Sequence, residues 1–471
     1  PAGLRLGGSG RVVEWLVKMR RLPEARMLDR LVARRRVTRR HMHAIADVLT
    51  RFFHRATRNR SITRYGTPDR VRALVLGNLQ ECHPFIGRLL SEADRTLLES
   101  AYRQYLTLHE PLLARRVRER RIIDGHGDLR CENICLTTPP SIFDCVEFQP
   151  AFRCGDMAND FSFLIMDMEF RGRGDLARAL VARYRRRSRD PTFDLVLPFY
   201  KCHRSLVRGK VRGFAWLQHP RTAEGRRVRS LSRKHFQLAL RYARQFAPPR
   251  LVVVGGLIGT GKSTLARSLA ESLGAVWLRT DEIRLTEFAH LRRPFDSAQG
   301  AVPSEVEGRR REQGFAQGLY ASRVSEQVYQ RLIQRAERFV RQGRSVVCDG
   351  MFSKASGRTA LRTIARRHGA SFHFVECTVP RAIARYRVAK RYARRTDLSE
   401  ARPEHYDRLR AGFEPVRGPS TRPAGSLRMS RRSQSAARYW TWRDWTRLSD
   451  HRPPPETFQA ALAALRRVWR V

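Results

Sequence analysis

Residues 255–264 read GGLIGTGKST, between the apolar run LVVV (251–254) and the amphipathic KSTLARSLAESLG (262–274). Gly256, Gly261, Lys262 and Ser263 complete the pattern G-x-x-x-x-G-K-[ST] in the setting it requires, after a buried strand and at the start of a helix. Glycines let consecutive backbone N–H groups turn inward around phosphate oxygens, and the helix N-terminus adds partial positive charge. Gly256, Leu257, Ile258, Gly259, Thr260, Gly261, Lys262, Ser263 and Thr264 are therefore the expected cradle for the phosphates of ATP. Lys262 would reach the β- and γ-phosphates, and the Ser263 hydroxyl would ligate Mg²⁺.

Working outward, APPRLVVVGG (247–256) marks a boundary, with two prolines before a strand. Strand and helix then alternate: Ala275–Leu278 as a strand, SEQVYQRLIQRAERFVRQG (325–343) as a helix opened by Ser325, SVVCDG (345–350) as a strand. RTALRTIARRHG (358–369) follows as a helix, SFHFVECTV (371–379) as a strand, and PRAIARYRVAKRYARR (380–395) as a helix with Pro380 at its start. Such alternation predicts a parallel sheet covered by helices on both faces. Residues 292–308 and 417–435, rich in Gly, Pro, Ser and Arg, read as exposed insertions without chemistry.

In RTDEIR (279–284) Asp281 is placed at a strand's C-terminal end, where it can accept the proton of an acceptor hydroxyl, and Arg284 can hold an anionic group of that acceptor. A competing reading makes Thr280 or Asp281 a helix N-cap. Asp349 ends SVVCD as the acid that orients Mg²⁺. Arg381, Arg385, Arg387 and Arg391 lie on one helix, with Arg387 and Arg391 sharing a face. This half, over roughly 250–416, resembles the small P-loop kinases such as polynucleotide kinase, gluconate kinase and the zeta toxins, a group also gathered under the broad AAA family ATPase label. The resemblance implies phosphoryl transfer from ATP to a hydroxyl, with Asp281, Arg284, Arg387 and Arg391 in catalytic roles.

The first half carries a second signature. HGDLRCENICL (126–136) contains His126-x-Asp128-x-x-x-x-Asn133, the spacing at which an Asp takes an acceptor's proton and an Asn five residues on ligates Mg²⁺. In SIFDCVEF (141–148), Asp144 follows an apolar run read as a strand over 142–146, and FRCGDMANDFSFL (152–164) adds Asp156 and Asp160. The assembly resembles the aminoglycoside phosphotransferase and choline kinase family. That resemblance implies Asp128 as catalytic base, Asn133 and Asp144 as metal ligands, and Asp156 as an acid that stabilises the loop. Nothing before residue 126 fits the small lobe of such a fold: Lys18 is the sole lysine there and lies in VVEWLVKMRRLP (12–23), a strand-like segment resembling an inter-lobe connector. The chain is expected to lack most of that lobe, and this half to bind ATP poorly; a further reading makes it a regulatory or substrate-recruiting module without catalysis of its own.

The expected architecture combines α+β and α/β parts: a mostly helical, kinase-like C-lobe over 1–246, then a P-loop NTPase domain over 250–471. Of 93 Lys and Arg, 86 are Arg, against 44 Asp and Glu, a net charge of +49. Such a field attracts polyanions, which keeps a nucleic-acid-binding ATPase or polynucleotide end kinase as the alternative reading. The arginines are spread along the whole chain with little aromatic interleaving, which favours solvated faces and a small-molecule hydroxyl acceptor instead. YWTWRDW (439–445) reads as a C-terminal packing cluster. None of the eight cysteines forms C-x-x-C, so reduced thiols in a cytoplasmic protein are expected. The spacing of His41, His43, Cys82 and His83 matches no zinc pattern, and no apolar run approaches the ~18 residues of a membrane span.

Overall fold

A computed structural model describes residues 21–289, 321–394, 402–416, 445–449 and 454–469, with a few residues before 21. The two insertions, and Tyr439, Trp440 and Trp442, lie outside the described residues. Residues 11–15 form no strand, and Val12, Val13 and Trp15 are exposed, so the strand expected there is not found within them.

The first half is helical. Its core draws on α1 Glu92–Leu108, α2 Met157–Phe170, α3 Phe193–Gln218 and α4 Ala223–Phe246, together with the helices Arg39–Arg55, Pro68–Gln80 and Gly174–Ser188. In α2 every residue from Met157 to Met168 is buried, which suits a helix enclosed by α3 and its neighbours. Four short strands frame the segment carrying Asp128. Strand β1 (Ile122–Asp124) pairs antiparallel with β4 (Cys154–Asp156), and β2 (Ile134–Cys135) with β3 (Ser141–Ile142). The expected strand over 142–146 thus ends at Ile142, and Asp144 takes φ 63°, a left-handed conformation that breaks the extended run.

The second half is a five-stranded parallel sheet in the order β6-β7-β5-β8-β9, from β5 (Arg250–Gly255), β6 (Val276–Arg279), β7 (Val346–Asp349), β8 (Ser371–Thr378) and β9 (Trp445–Ser449). All six residues of β5 are buried, as a central strand covered on both faces requires. Alternation along it decides the layers. Leu251 and Val253 join the core with α7 (Ser322–Arg341) and α8 (Ala355–Arg367), while Val252 and Val254 join the one with α5 (Lys262–Leu273) and α10 (Pro454–Val468). Helix α7 shows why it forms: Val324, Val328, Leu332, Ala336 and Val340, at four-residue spacing, are all buried. It starts at Ser322, three residues before the expected Ser325, because the apolar stripe already begins at Val324.

The halves are joined by built contacts. Leu108, at the end of α1, lies in the core of the sheet's α5 face. Thr107 donates to the Ser272 carbonyl (2.7 Å), Ser345 donates to Gln104 (2.8 Å), and Gln104 donates to the Pro248 carbonyl (3.1 Å). From α10, Arg466 donates to the carbonyls of Thr107 (2.6 Å) and Leu108 (3.0 Å).

Within the first half, Arg116 is fully buried and forks onto Asp156 (2.6 and 2.7 Å), with a further bond to Asp190 (2.9 Å). Breaking a buried pair strands a charge and costs about 3–5 kcal/mol. Arg116→Ala is expected to lower unfolding free energy by that amount in a urea titration, whereas substituting the exposed pair Arg185–Asp194 should change it by less than ~1 kcal/mol.

Candidate functional site

The phosphate loop leaves the C-terminal end of β5 and turns into α5. Gly256, Gly259 and Gly261 have φ of 140°, 77° and 82°, so the loop depends on glycine for its path. Two of them also depend on glycine for space. A Cβ on Gly256 would stand 2.3 Å from the Cys377 carbonyl oxygen, and one on Gly259 would stand 2.4 Å from that of Ala384. Ala384 belongs to α9 (Arg381–Arg394), so this helix packs directly on the loop. Ile258, Ala384, Val388 and Tyr406 bury one another at that contact. Within the loop, Thr260 donates to the Leu257 carbonyl at 2.8 Å and Lys262 reaches the same oxygen at 3.4 Å.

Register brings the acid alongside. Val254 of β5 pairs with Asp349 of β7, and Arg279 of β6 pairs with Asp349 on its other side. Asp349 is buried. Burial pushes its carboxyl up, while Lys262, Ser263 and Arg279 pull the other way. Its Oδ1 is buried with no hydrogen-bond partner, and Arg279 Nε lies 3.6 Å from Oδ2. A buried, unsatisfied carboxylate oxygen beside a serine hydroxyl fits a hard divalent cation such as Mg²⁺.

Asp281 and Arg284 lie on α6 (Thr280–Glu287), directly after β6. The N-cap of α6 is Arg279, and no side chain caps it, so the competing capping role of Thr280 or Asp281 is not found. Arg284 is buried and donates to Ser325 at 3.3 Å. Tyr329 holds the Phe352 N–H at 2.9 Å, and burial raises its phenol to about 12, with Arg284, Asp281 and Asp349 all near enough to act on it. Residues 281, 284, 325, 329, 349 and 352 thus converge beyond the ends of β6 and β7. Sequence reasoning missed Ser325, Tyr329, Phe352 and Arg279. Tyr329, just off the apolar stripe of α7, is the one that carried a signal. On α9, Arg381 and Arg385 are engaged by Asp407 (2.6 and 3.3 Å). Arg387 and Arg391, one turn apart, are half-buried.

In the first half the structure brings Asp128 and Asn133 together: the Asn133 amide donates to the Asp128 carbonyl (2.9 Å) and carboxylate (3.2 Å). Asp144 is exposed, but its neighbours dock on the same loop, Phe143 N–H on the Asn133 carbonyl (3.1 Å) and Val146 N–H on that of His126 (3.0 Å). The acid that holds the loop is Asp160, which accepts from the N–H groups of His126 (2.7 Å) and Gly127 (2.9 Å). Asp156, expected there, instead caps α2 and binds Arg116. Asp128 itself is gripped by Arg130 through two bonds of 2.7 and 2.5 Å. Burial opposes its ionised form, yet Arg130 with Arg208 and Arg204 holds the carboxyl below the usual range. Among the described residues, no three His, Cys, Asp or Glu side chains group as a metal site, and no helix is long and apolar enough to cross a membrane.

Residues 251–416 match the family profile described as an AAA domain, so the second half is a P-loop NTPase domain. Over 366 residues the chain is 34% identical to the uncharacterized protein Rv2004c of Mycobacterium tuberculosis (strain ATCC 25618 / H37Rv), covering 78% of this chain and 68% of that one. Mb2027c of Mycobacterium bovis, also uncharacterized, matches to the same extent. The chain belongs to the family of these mycobacterial proteins. An aligned length of 366 residues exceeds the P-loop part, so the family shares segments of both halves. Among solved structures, a gluconokinase from Sinorhizobium meliloti 1021 aligns at 16% identity with TM-score 0.29, over 47% of this chain and 94% of that one. A sugar kinase from Janibacter sp. HTCC2649 aligns at 20% identity with TM-score 0.28, over 46% and 95%.

The burial of Asp349 has a pH consequence. Its folded pKa lies above its unfolded one, so its protonation favours folding, and stability falls as pH rises through the folded value. Asp349→Asn, permanently neutral, should melt higher than the parent at pH 7 without nucleotide, with the gap closing as pH falls into the carboxylate range. Gly259→Ala should abolish nucleotide binding in a calorimetric titration, because its Cβ has only the Ala384 backbone to displace.

Proposed function

We propose that the second half is a kinase that transfers the γ-phosphoryl group of ATP to a hydroxyl of a small molecule. The observation that carries this is the convergence of Asp281, Arg284 and Tyr329 on the side of Asp349 reached by β6, next to the loop of Gly256–Thr264. A nucleotidase needs only the loop and the acid. A buried arginine and a carboxylate beyond them are groups that an acceptor, rather than the nucleotide, would use. In this reading backbone N–H groups of the loop and Lys262 hold the nucleotide phosphates, and Ser263 and Asp349 hold Mg²⁺, which supplies charge neutralisation when bound. Asp281 accepts the hydroxyl proton, Arg284 orients an anionic part of the acceptor, and Arg387 and Arg391 face the transferred group from α9.

The first half supports a second reading, a kinase-like loop in which Asp128 is the base and Asn133 and Asp144 are the metal-side residues. What favours it is the Asp160 clamp, which fixes residues 126–127 while Asn133 buttresses Asp128. With Asp128 forked by Arg130, this centre is held in a form unready to accept a proton. The nucleic-acid alternative rests on net charge alone.

Acceptor screening with radiolabelled ATP over sugar acids, polyols and nucleosides tests the main reading. Lys262→Ala should abolish labelling. Asp281→Asn should lower kcat by about 10²–10⁴ with ATP affinity retained, and Arg284→Gln should raise the acceptor KM more than it lowers kcat. Unchanged turnover in Asp281→Asn would refute the assignment of the base.

A further inference from the structure

Helix α3 turns one face toward the Asp128 loop, and that face is cationic. Arg204, Arg208 and Arg212 recur at four-residue steps and so stack along one side. Arg130 and Arg171 lie against the same region, because both of them and Asp167 act on Arg208 or Arg212. The carboxylates there are already committed. Asp128 and Glu132 are held by Arg130, and Asp167 is held by Arg171 (3.1 Å) and the Cys131 N–H (3.0 Å). With Asp160, which acts on Arg204 and is held by the N–H groups of His126 and Gly127, five guanidiniums thus face four carboxylates, and the surplus sits on α3.

Each of the three α3 arginines lacks a carboxylate partner. Arg204, buried, donates only to the carbonyls of Gly127 (3.1 Å) and Asn159 (3.3 Å). Arg208, half-buried, makes no hydrogen bond or ion pair among the described residues. Arg212 has a buried Nη1 without a partner. Burial, then the repulsion of Arg208, brings its guanidinium down to about 10. Aromatic faces hold the planes in place: Arg204 lies 4.7 Å from the centre of the Phe163 ring and Arg212 5.4 Å from that of Phe170. Partly desolvated, orientated guanidiniums without counter-charges are unfavourable alone and become favourable when an anion with paired oxygens bridges them.

We propose that Arg208 and Arg212, flanked by Arg130 and Arg204, form a binding site for the phosphate group of a phosphorylated small molecule, beside Asp128. The sign of this site is opposite to that of a pocket for a cationic aminoglycoside or choline. It also gives Arg130 an alternative partner: an anion drawing its fork away would release the Asp128 carboxylate. The site is separate from the P-loop and does not rest on the reading proposed for that half.

The test uses the full chain carrying Lys262→Ala, which silences the P-loop, and inorganic pyrophosphate as probe in calorimetric titrations at fixed ionic strength. One equivalent should bind, and adding Arg208→Ala should weaken it at least about tenfold. Arg186→Ala, which removes an exposed charge elsewhere, should leave affinity unchanged. Arg208→Lys, which keeps the charge and the stem, guards against a folding defect: it should melt like its parent yet still bind more weakly, because an ammonium cannot form the parallel pair. Absence of binding in Lys262→Ala overturns the site, as does equal weakening by Arg186→Ala or parent-like affinity in Arg208→Lys. Displacement of the probe by a short single-stranded oligonucleotide at lower concentration than by a phosphomonoester would assign the face to nucleic acid instead.

Discussion

Strand β5 has no face that water reaches, and the second half is arranged around that constraint. Six consecutive buried residues must be covered above and below and paired on both edges. Parallel pairing with β7 and β8 satisfies the edges, and helices reached by crossover satisfy the faces. From this follow the placement of the phosphate loop at the strand's end and the position of Asp349 one strand away. The loop needs glycine twice over, since the backbone path and the carbonyls of Cys377 and Ala384 both exclude a side chain.

The junction of the halves acts at the opposite end of the same element. Thr107 binds the carbonyl of Ser272, near the C-terminus of α5, while the phosphate loop feeds its N-terminus. A twelve-residue helix separates these events by about 18 Å. The first half therefore grips the base of the P-loop helix, and α10 completes the clamp through Arg466. None of these bonds involves the phosphate end of α5.

In the first half the organising groups are buried charges. Arg116 ties the segment after α1 to β4 and to the start of α3, and Asp160 draws the N–H groups of His126 and Gly127 inward. Both are matched. The arginines of α3 facing the same loop are not, and this contrast separates charges that build the fold from charges that await a ligand.

Much of the second half was legible in the residues. A loop pattern with glycine at fixed positions, an apolar strand before it and leucines at four-residue spacing after it are local facts, and local sterics and periodicity enforce them. The same holds for Asp349 at the end of an apolar run and for Asp128 and Asn133, whose mutual reach is set by a five-residue loop. What the chain could not declare locally depends on which segments meet. Tyr329 and Ser325 join Arg284 only because α7 packs beside α6, some forty residues away in sequence. Asp160 rather than Asp156 holds the loop because α2 turns that carboxylate toward residues 126–127, which composition and spacing do not encode. Arg130 grips Asp128 across one residue, a contact open to any conformer until β1 and β2 define the loop between them. Which of 86 arginines lack a partner is likewise a property of the packed molecule: a guanidinium's value depends on burial and neighbours, and tertiary structure alone supplies both.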